Sequence, residues 1–164
     1  MKGRTVHKVF IHGLESSSKG TKALFFKNRY PEMIVPDFEG DIDERMERLA
    51  HLLSDKKNLF LVGSSFGGLM GALFALKHPE QVQKLILLAP ALCFGKFRLP
   101  DSKAIDVPVV IYHGTRDEVV SLEPVREIAR TVFSDLRFHV VDDDHLLYKT
   151  FQIIDWDSLF IAPG

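Results

Sequence analysis

The sequence is poor in cysteine, in net charge and in long hydrophobic runs, and each shortage excludes a class of protein. Cys93 is the only cysteine, so no internal disulfide is possible, which fits a reducing compartment. The net charge of −1 argues against nucleic acid or an anionic membrane as the main partner. The first apolar run, residues 9–11, is too short for a signal peptide or a membrane span. We therefore expect a cytoplasmic protein with no nucleic-acid partner and no membrane partner.

The length and composition are those of one ordinary globular unit. Hydrophobic residues make up 46% of the 164 residues and charged residues 26%, and a chain of this size can bury a real core. No repeat, low-complexity tract or linker-like stretch divides the chain. The sequence therefore predicts a single domain over residues 1–164.

Apolar strand-like runs alternate with helical patterns along the whole chain. Predicted strands cover residues 6–11, 33–35, 58–62, 83–88, 107–112 and 136–141. Predicted helices cover residues 21–28, 41–54, 67–76 and 122–132, and a closing helix runs from residue 146 toward residue 160. This alternation predicts an α/β fold: a three-layer sandwich with about six mostly parallel strands and helices on both faces.

The chain is organised around a Gly-x-Ser-x-Gly pattern formed by Gly63, Ser65 and Gly67. It lies where an apolar strand turns into a helix that begins near Phe66. A tight turn there would hold Ser65 at the mouth of the sheet, and side chains two residues away on either side would collide. The following helix would aim free N–H groups at the oxyanion that forms in acyl transfer. The motif alone is weak, but its apolar strand and helix favour Ser65 as a nucleophile.

Two further residues fall at the carboxyl ends of predicted strands, where parallel sheets bind ligands. A serine hydroxyl needs a base to take its proton, and the base needs an acid to hold its tautomer. His145 follows the last predicted strand and Asp117 follows the strand before it. The order Ser65, Asp117, His145 therefore predicts a catalytic set. Three adjacent acids remain open as alternatives to Asp117: Asp142, Asp143 and Asp144.

The remaining strand-end histidines predict no metal site. His12 and His113 each precede a glycine, and we interpret both as structural hydrogen-bonding residues. The acidic run before His145 lacks accompanying ligand histidines at a suitable spacing, so a solvated turn is favoured over a metal site.

Four ordered segments resemble the α/β hydrolases. They are residues 11–17, 62–68, 113–117 and 144–145, and they resemble in that order the family's oxyanion loop, nucleophile elbow, acid and histidine. The resemblance as a whole runs from Val6 to about Ile154. The short length and the opening His-Gly-Leu-Glu-Ser-Ser-Ser are similar to small bacterial esterases of the YqiA-like group. The resemblance implies a triad of Ser65, Asp117 and His145, with backbone N–H groups of Leu14 and Phe66 in the oxyanion hole. It implies no metal and no organic cofactor.

Two departures from the family pattern shape the expected site. The chain has no room for the two antiparallel strands that usually precede the first strand seen here. Only residues 91–106 lie where many members insert a cap domain, so we predict no cap domain and an open site. Within that segment, Phe94, Phe97 and Leu99 either form a small apolar acyl pocket or simply cover the core.

Together these features predict a carboxylesterase-like serine hydrolase that cleaves small, soluble carboxylic esters through an acyl-enzyme on Ser65. The partner is then a small-molecule ester. The same residues also serve thioesters and activated amides. A thioesterase, an acyltransferase, a lyase and a non-catalytic binding protein of the same fold stay open as alternatives.

Overall fold

Alternating apolar runs and amphipathic segments fold into strands and helices whose bounds lie close to the predicted ones. The computed structural model describes residues 3–94 and 105–162. In chain order these residues form β1 (His7–Ile11), α1 (Thr21–Arg29), α2 (Ile42–Leu53), β2 (Leu59–Ser64), α3 (Phe66–Lys77), β3 (Val82–Leu88), β4 (Val109–Gly114), α4 (Leu122–Val132), β5 (Leu136–Val141), α5 (Tyr148–Ile153) and α6 (Trp156–Leu159).

The strands form one parallel sheet in the spatial order β1-β2-β3-β4-β5. Their carboxyl ends therefore lie along one edge. The predicted strand at residues 33–35 makes only a single bridge, between Ile34 and Val9. Pro31 and Pro36 flank this segment and have no N–H to donate, which limits further pairing. The expected six strands are thus five strands and one bridge.

Helices cover both faces of the sheet, which confirms the predicted three-layer arrangement. Side chains alternate along β1, so Val9 faces one core while Phe10 faces the other. The first core joins the sheet to α2, α3 and α4, and the second joins it to α1, α5 and α6. Within the described residues, no helix is long and apolar enough to cross a membrane.

Helix α2 begins at a reciprocal cap and buries one stripe. The Asp41 carboxylate accepts from the Glu44 N–H over 2.9 Å, and the Glu44 carboxylate accepts from the Asp41 N–H over 2.8 Å. Its apolar stripe contributes Ile42, Met46, Leu49 and Leu53 to the first core.

The prediction of one closing helix after residue 146 is wrong, because two short helices form instead. Ile154 is extended between α5 and α6, with φ −63° and ψ 136°. The Asp155 carboxylate accepts hydrogen bonds from the Ser158 N–H and hydroxyl, so it caps a new helix rather than extending the old one.

A buried carboxylate fixes the start of α5. The Asp143 Oδ2 atom accepts from both the N–H and the hydroxyl of Thr150, over 2.9 and 2.8 Å, and its Oδ1 atom accepts from the Asp144 N–H. Burial alone would raise the pKa of Asp143, but these hydrogen bonds outweigh burial and hold the pKa below its ordinary value.

We predict that Trp156→Ala lowers the free energy of unfolding by about 3–5 kcal/mol. Trp156 is 1% exposed, packs against Phe26 and donates its indole N–H to the Phe151 carbonyl over 2.8 Å. Ile153→Ala is the matched control, since Ile153 is 78% exposed, and it should cost less than about 0.5 kcal/mol. Urea denaturation measures both, and equal losses would show that the last helices do not contribute to the core.

We predict that Asp143→Asn lowers the free energy of unfolding at pH 7 by about 1–3 kcal/mol. Because the folded pKa lies below the unfolded one, this contribution is complete above about pH 4 and disappears as the pH falls through the folded pKa. The difference from wild type should therefore shrink in acid. Asp142→Asn is the control, because the Asp142 side chain is 79% exposed in a surface pair with Arg116. Urea denaturation at pH 7 and pH 3 measures these effects. A loss of stability in Asp143→Asn that is the same at both pH values would contradict the role of the Asp143 carboxylate in fixing the start of α5.

Candidate active site

Ser65 occupies a strained turn between β2 and α3. Its φ of 55° and ψ of −115° are values that residues with side chains rarely adopt. A β-carbon on Gly63 would overlap the Gly67 carbonyl, and one on Gly67 would overlap the carbonyl of Ile11. The close approach of β1, β2 and α3 therefore admits only glycine at both flanking positions, as the motif predicts.

The hydroxyl of Ser65 is free to serve another group. Ser65 is the N-cap residue of α3, yet its side chain makes no capping hydrogen bond. Its Oγ atom lies 3.0 Å from the Nε2 atom of His145. The turn is held instead through the backbone, because the Ser65 N–H donates to the Leu88 carbonyl and the Ser65 carbonyl accepts from the Ala91 N–H.

His145 connects Ser65 to Asp117. The His145 Nδ1 atom lies 2.8 Å from the Asp117 Oδ2 atom. A carboxylate only accepts, so Nδ1 carries the proton, and Nε2 of the neutral ring is left to accept from the Ser65 hydroxyl. The structure thus brings together the three side chains that the sequence proposed, in the order that a proton relay needs.

The Asp117 carboxylate is fully buried and fully hydrogen-bonded. Its Oδ1 atom accepts from the N–H groups of Val119 and Val120 over 2.9 and 2.8 Å. The His113 Nε2 atom lies 3.3 Å from Oδ2 and donates to the Val120 carbonyl over 2.8 Å. Burial lowers the pKa of His113, so its ring is neutral at pH 7. The two valine N–H groups therefore stabilise a carboxylate that is removed from water.

The three alternative acids all bind other partners. Asp142 pairs with Arg116, Asp143 binds Thr150, and the Asp144 carboxylate accepts from the Leu146 N–H. Within the described residues, Asp117 is thus the carboxylate in contact with His145.

The backbone N–H groups of Leu14 and Phe66 remain available beside Ser65. Both residues line the same cleft as Ser65, and neither N–H donates to an acceptor within residues 3–94 and 105–162. The loop after β1 passes close to the elbow, since a β-carbon on Gly13 would lie 3.6 Å from the Ser65 Cβ atom. Free backbone N–H groups beside a nucleophile are the donors from which an oxyanion hole is built, so both residues remain candidates for that role.

His12 connects the loop after β1 to the backbone at Phe38. Its Nε2 atom accepts from the Phe38 N–H over 2.9 Å, so Nδ1 carries the proton and donates to the Gly13 carbonyl over 2.7 Å. His12 and His113 are both bound to backbone groups, which agrees with their interpretation as structural residues.

The sequence interpretation missed Arg45, which contacts both residues that present the free N–H groups. It is 5% exposed, its guanidinium lies 5.5 Å from the Phe66 ring, and its Nη2 atom is 3.4 Å from the Leu14 carbonyl. Its Nε–H donates to the Gly40 carbonyl over 2.9 Å, and Nη1 is buried with no partner among the described residues. The signal was its position three residues after Ile42, on the apolar stripe of α2.

A cleft of about 570 Å³ opens over Ser65, a size typical of small-molecule sites. Of the residues already described, Gly13, Leu14, Ser65, Phe66, Val120 and His145 line it, and the lining also includes Phe10, Glu15, Ser16, Thr21, Lys22, Ser64, Ala91, Phe94, Val119, Leu146 and Tyr148. Phe94 is 57% exposed and its ring packs edge-on against Phe66 at 6.1 Å, so it lines the cleft rather than the core. Phe97 and Leu99 lie outside the described residues.

Metal-ligating side chains do not cluster in the part of the chain that the structure describes. No group of three His, Cys, Asp or Glu side chains there is arranged to hold a metal ion.

Comparison with known proteins gives short sequence matches and a full-length fold match. A cis-3-alkyl-4-alkyloxetan-2-one decarboxylase from Shewanella oneidensis is 33% identical over 70 residues, 43% of this chain and 21% of that protein. A 1-acylglycerol-3-phosphate O-acyltransferase from Arabidopsis thaliana is 59% identical over 34 residues, 21% of this chain and 8% of that protein. The chain thus spans about a fifth or less of these relatives.

The mouse alpha/beta hydrolase domain-containing protein 10 has a closely similar structure. Its TM-score is 0.75 at 23% identity, and the match covers 98% of this chain and 88% of the mouse chain. At this identity the likeness shows a shared fold, while the closer similarity to the YqiA-like group stays a prediction. The family model for the α/β hydrolase fold matches residues 11–104, more than half of the chain. The protein therefore belongs to the α/β hydrolase fold family.

Proposed function

We propose that the protein is a serine hydrolase that cleaves carboxylic esters through an acyl-enzyme on Ser65. Membership of the α/β hydrolase family supports hydrolase activity. The observation that carries the finer proposal is the continuous relay from Ser65 Oγ to His145 Nε2, at 3.0 Å, and from His145 Nδ1 to Asp117 Oδ2, at 2.8 Å.

In the acylation step, the Ser65 oxygen attacks the ester carbonyl while His145 Nε2 takes the hydroxyl proton. The carbonyl oxygen becomes an oxyanion, which the N–H groups of Leu14 and Phe66 bind. The C–O bond to the leaving group then breaks, and His145 returns its proton to the departing alcohol. Backbone N–H groups that the fold holds in position need no reorganisation as the charge develops.

In the deacylation step, water attacks the acyl-enzyme and His145 Nε2 takes a proton from it. The second tetrahedral intermediate collapses, the bond to Ser65 Oγ breaks, and His145 returns the proton to that oxygen. Asp117 stays ionised throughout, orients the imidazole and stabilises its cationic form. The reaction uses no metal and no organic cofactor.

The cleft fits a small ester with an apolar acyl part. Phe66, Ala91 and Val120 belong to the first core, and Phe94 and Val119 extend the apolar lining toward solvent. A short alkyl or aryl chain would bury its surface against these side chains at about 25 cal/mol per Å². We infer small carboxylic esters as the substrates, with Phe94 contacting the acyl chain.

A second candidate is transfer of the acyl group to an acceptor other than water. The specific observation is the acyltransferase name of the Arabidopsis relative, although the match covers only 8% of that protein. Product analysis with p-nitrophenyl butyrate and competing alcohols separates the two functions. Free butyrate as the main product supports hydrolysis, whereas new butyrate esters at millimolar acceptor would favour transfer.

We predict that Ser65→Ala removes ester hydrolysis while the fold survives. The substitution deletes the nucleophilic oxygen but leaves the backbone contacts of the turn in place. We expect kcat for p-nitrophenyl esters to fall by about 10³-fold or more. Labelling by a fluorophosphonate, which phosphonylates an activated serine with loss of fluoride, should disappear with it. The acyl chain-length profile of the wild type measures the depth of the pocket.

The control for this experiment is the thermal midpoint of the variant, which should stay within a few degrees of wild type. Labelling without turnover in the wild type would indicate an active nucleophile with another substrate class. If neither occurs, the non-catalytic binding protein becomes the better interpretation.

We predict that Asp117→Asn lowers kcat by about 10³- to 10⁴-fold, since an amide in place of the carboxylate favours the wrong tautomer of His145. Asp142→Asn, on the exposed neighbouring turn, should leave activity near the wild-type value. The experiment compares steady-state kinetics of both variants, with circular dichroism to verify folding. Near-full activity in Asp117→Asn would refute the assignment of Asp117 as the triad acid.

A further inference from the structure

Lys22 places a positive charge in the cleft next to aromatic rings. It is the second residue of α1, it is half-buried, and it lines the same cleft as Ser65. Its Nζ atom lies 5.0 Å from the Tyr148 ring and 5.4 Å from the Phe151 ring, both on α5. The aromatic faces partly stabilise the ammonium group, but they accept none of its three N–H bonds.

Among the residues that the structure describes, Lys22 is the half-buried lysine without an oxygen partner. Within the described residues, no carboxylate lies within 4.0 Å of its Nζ atom and no oxygen accepts a hydrogen bond from it. In the described part of the chain, the other half-buried lysines each have an oxygen within 3.1 Å: Lys8, Lys27, Lys56 and Lys84. Glu15 lines the cleft as well, but it is exposed and forms no ion pair with Lys22.

The two sides of the cleft therefore differ in chemistry. Lys22 and Tyr148 come from α1 and α5, which pack on one face of the sheet, whereas Phe66 and Val120 belong to the core on the other face. One side offers apolar surface to an acyl chain. The other offers an ammonium group that donates to no acceptor among the described residues. Removing a cation from water without such partners is unfavourable, and a ligand oxyanion would supply them.

We propose that Lys22 binds an anionic group of the substrate, a carboxylate or a phosphate, and that the enzyme prefers anionic esters to neutral esters of the same shape. This inference rests on the proposed function of Ser65. The anion is carried either by the leaving group or by the far end of the acyl chain, and the experiment distinguishes these two places.

The test compares matched anionic and neutral substrates in wild type, Lys22→Met and Lys19→Met. The leaving-group pair is 4-acetoxybenzoate and its methyl ester, and the acyl pair is p-nitrophenyl hemiglutarate and its methyl ester. The readout is the anionic-to-neutral ratio of kcat/KM, in which intrinsic reactivity cancels between variants. Lys22→Met should lower this ratio roughly 10- to 100-fold in one pair, as loss of a charge-assisted hydrogen bond implies. Lys19→Met, at an exposed position near α1, should leave the activity toward the anionic and the neutral substrate of each pair unchanged.

The pH dependence of the same ratio gives a signature that a purely structural role would not give. Burial lowers the pKa of Lys22 to about 8, while Asp143 and Asp144 act in the opposite direction. Tyr148, Glu15 and His145 are the other titratable groups along this wall and cleft. Lys22 loses its charge as the pH rises through about 8, so the wild-type preference should decline there. The catalytic base acts on both substrates of a pair, so its contribution cancels from the ratio.

Binding measured without turnover keeps the two proposals separable. Calorimetry on the Ser65→Ala variant should show tighter binding of 4-acetoxybenzoate, or of p-nitrophenyl hemiglutarate, than of the corresponding methyl ester. The double variant with Lys22→Met should bind both members of each pair equally. A ratio and a binding preference that Lys22→Met leaves unchanged in both pairs would overturn the inference, while intact hydrolysis and labelling would leave the role of Ser65 standing. Absence of hydrolysis with a Lys22-dependent preference in binding would support the anion site and refute the esterase proposal.

Discussion

The close approach of three backbone segments at the elbow is the constraint on which the rest of the site depends. Strand β1, strand β2 and the start of α3 meet so tightly that Gly63 and Gly67 have no space for a β-carbon. Between them Ser65 is held at a φ of 55°, a conformation that costs about 1–3 kcal/mol and persists only where surrounding structure enforces it. The apolar, almost wholly buried α3 provides that enforcement. Phe66 is the first residue of α3 and lines the cleft, and its N–H donates to no acceptor within the described residues.

The order of the sheet determines how the rest of the site reaches Ser65. Asp117 follows β4 and His145 follows β5. Because these two strands are neighbours in the sheet, the two side chains lie side by side and form a hydrogen bond. A carboxylate with no exposed surface is tolerable only if its hydrogen bonds are filled, and the N–H groups of Val119 and Val120 fill them. The same turn that positions Asp117 therefore also stabilises its charge. The imidazole of His145 is left with one free nitrogen, and that nitrogen faces Ser65.

Short sequence patterns predicted the features that depend on neighbouring residues, such as the turn at Ser65. They did not predict features that depend on contacts between distant elements, such as the burial of Arg45. Glycine spacing around Ser65 encodes the turn directly. The strand-end positions of Asp117 and His145 predicted that they would lie near Ser65, and His145 contacts both of the other residues. The closing helix was predicted wrongly because apolar residues recur on both sides of Asp155. The Asp155 carboxylate accepts hydrogen bonds from the N–H and hydroxyl of Ser158, so it begins a new helix there. Arg45 was missed because a long side chain on an apolar stripe normally carries its charge to water. Only the packing of α2 beside the loop after β1 shows that this charge stays buried.

Two cations flank the proposed oxyanion region, and their surroundings assign them different tasks. Arg45 is nearly inaccessible and satisfied in part by carbonyls of Gly40 and Leu14, so its guanidinium fixes the loop that presents the Leu14 N–H. Arg45 is not among the residues that line the cleft. Lys22 lines the cleft, rests on aromatic rings and has no oxygen partner among residues 3–94 and 105–162, so its N–H groups are available to a ligand. Under the proposal, positive charge at the site is divided between Arg45, which holds the loop that carries Leu14, and Lys22, which binds the anionic group of the substrate. Since the two contact different elements, substrate preference can change at Lys22 without disturbing the geometry around Ser65.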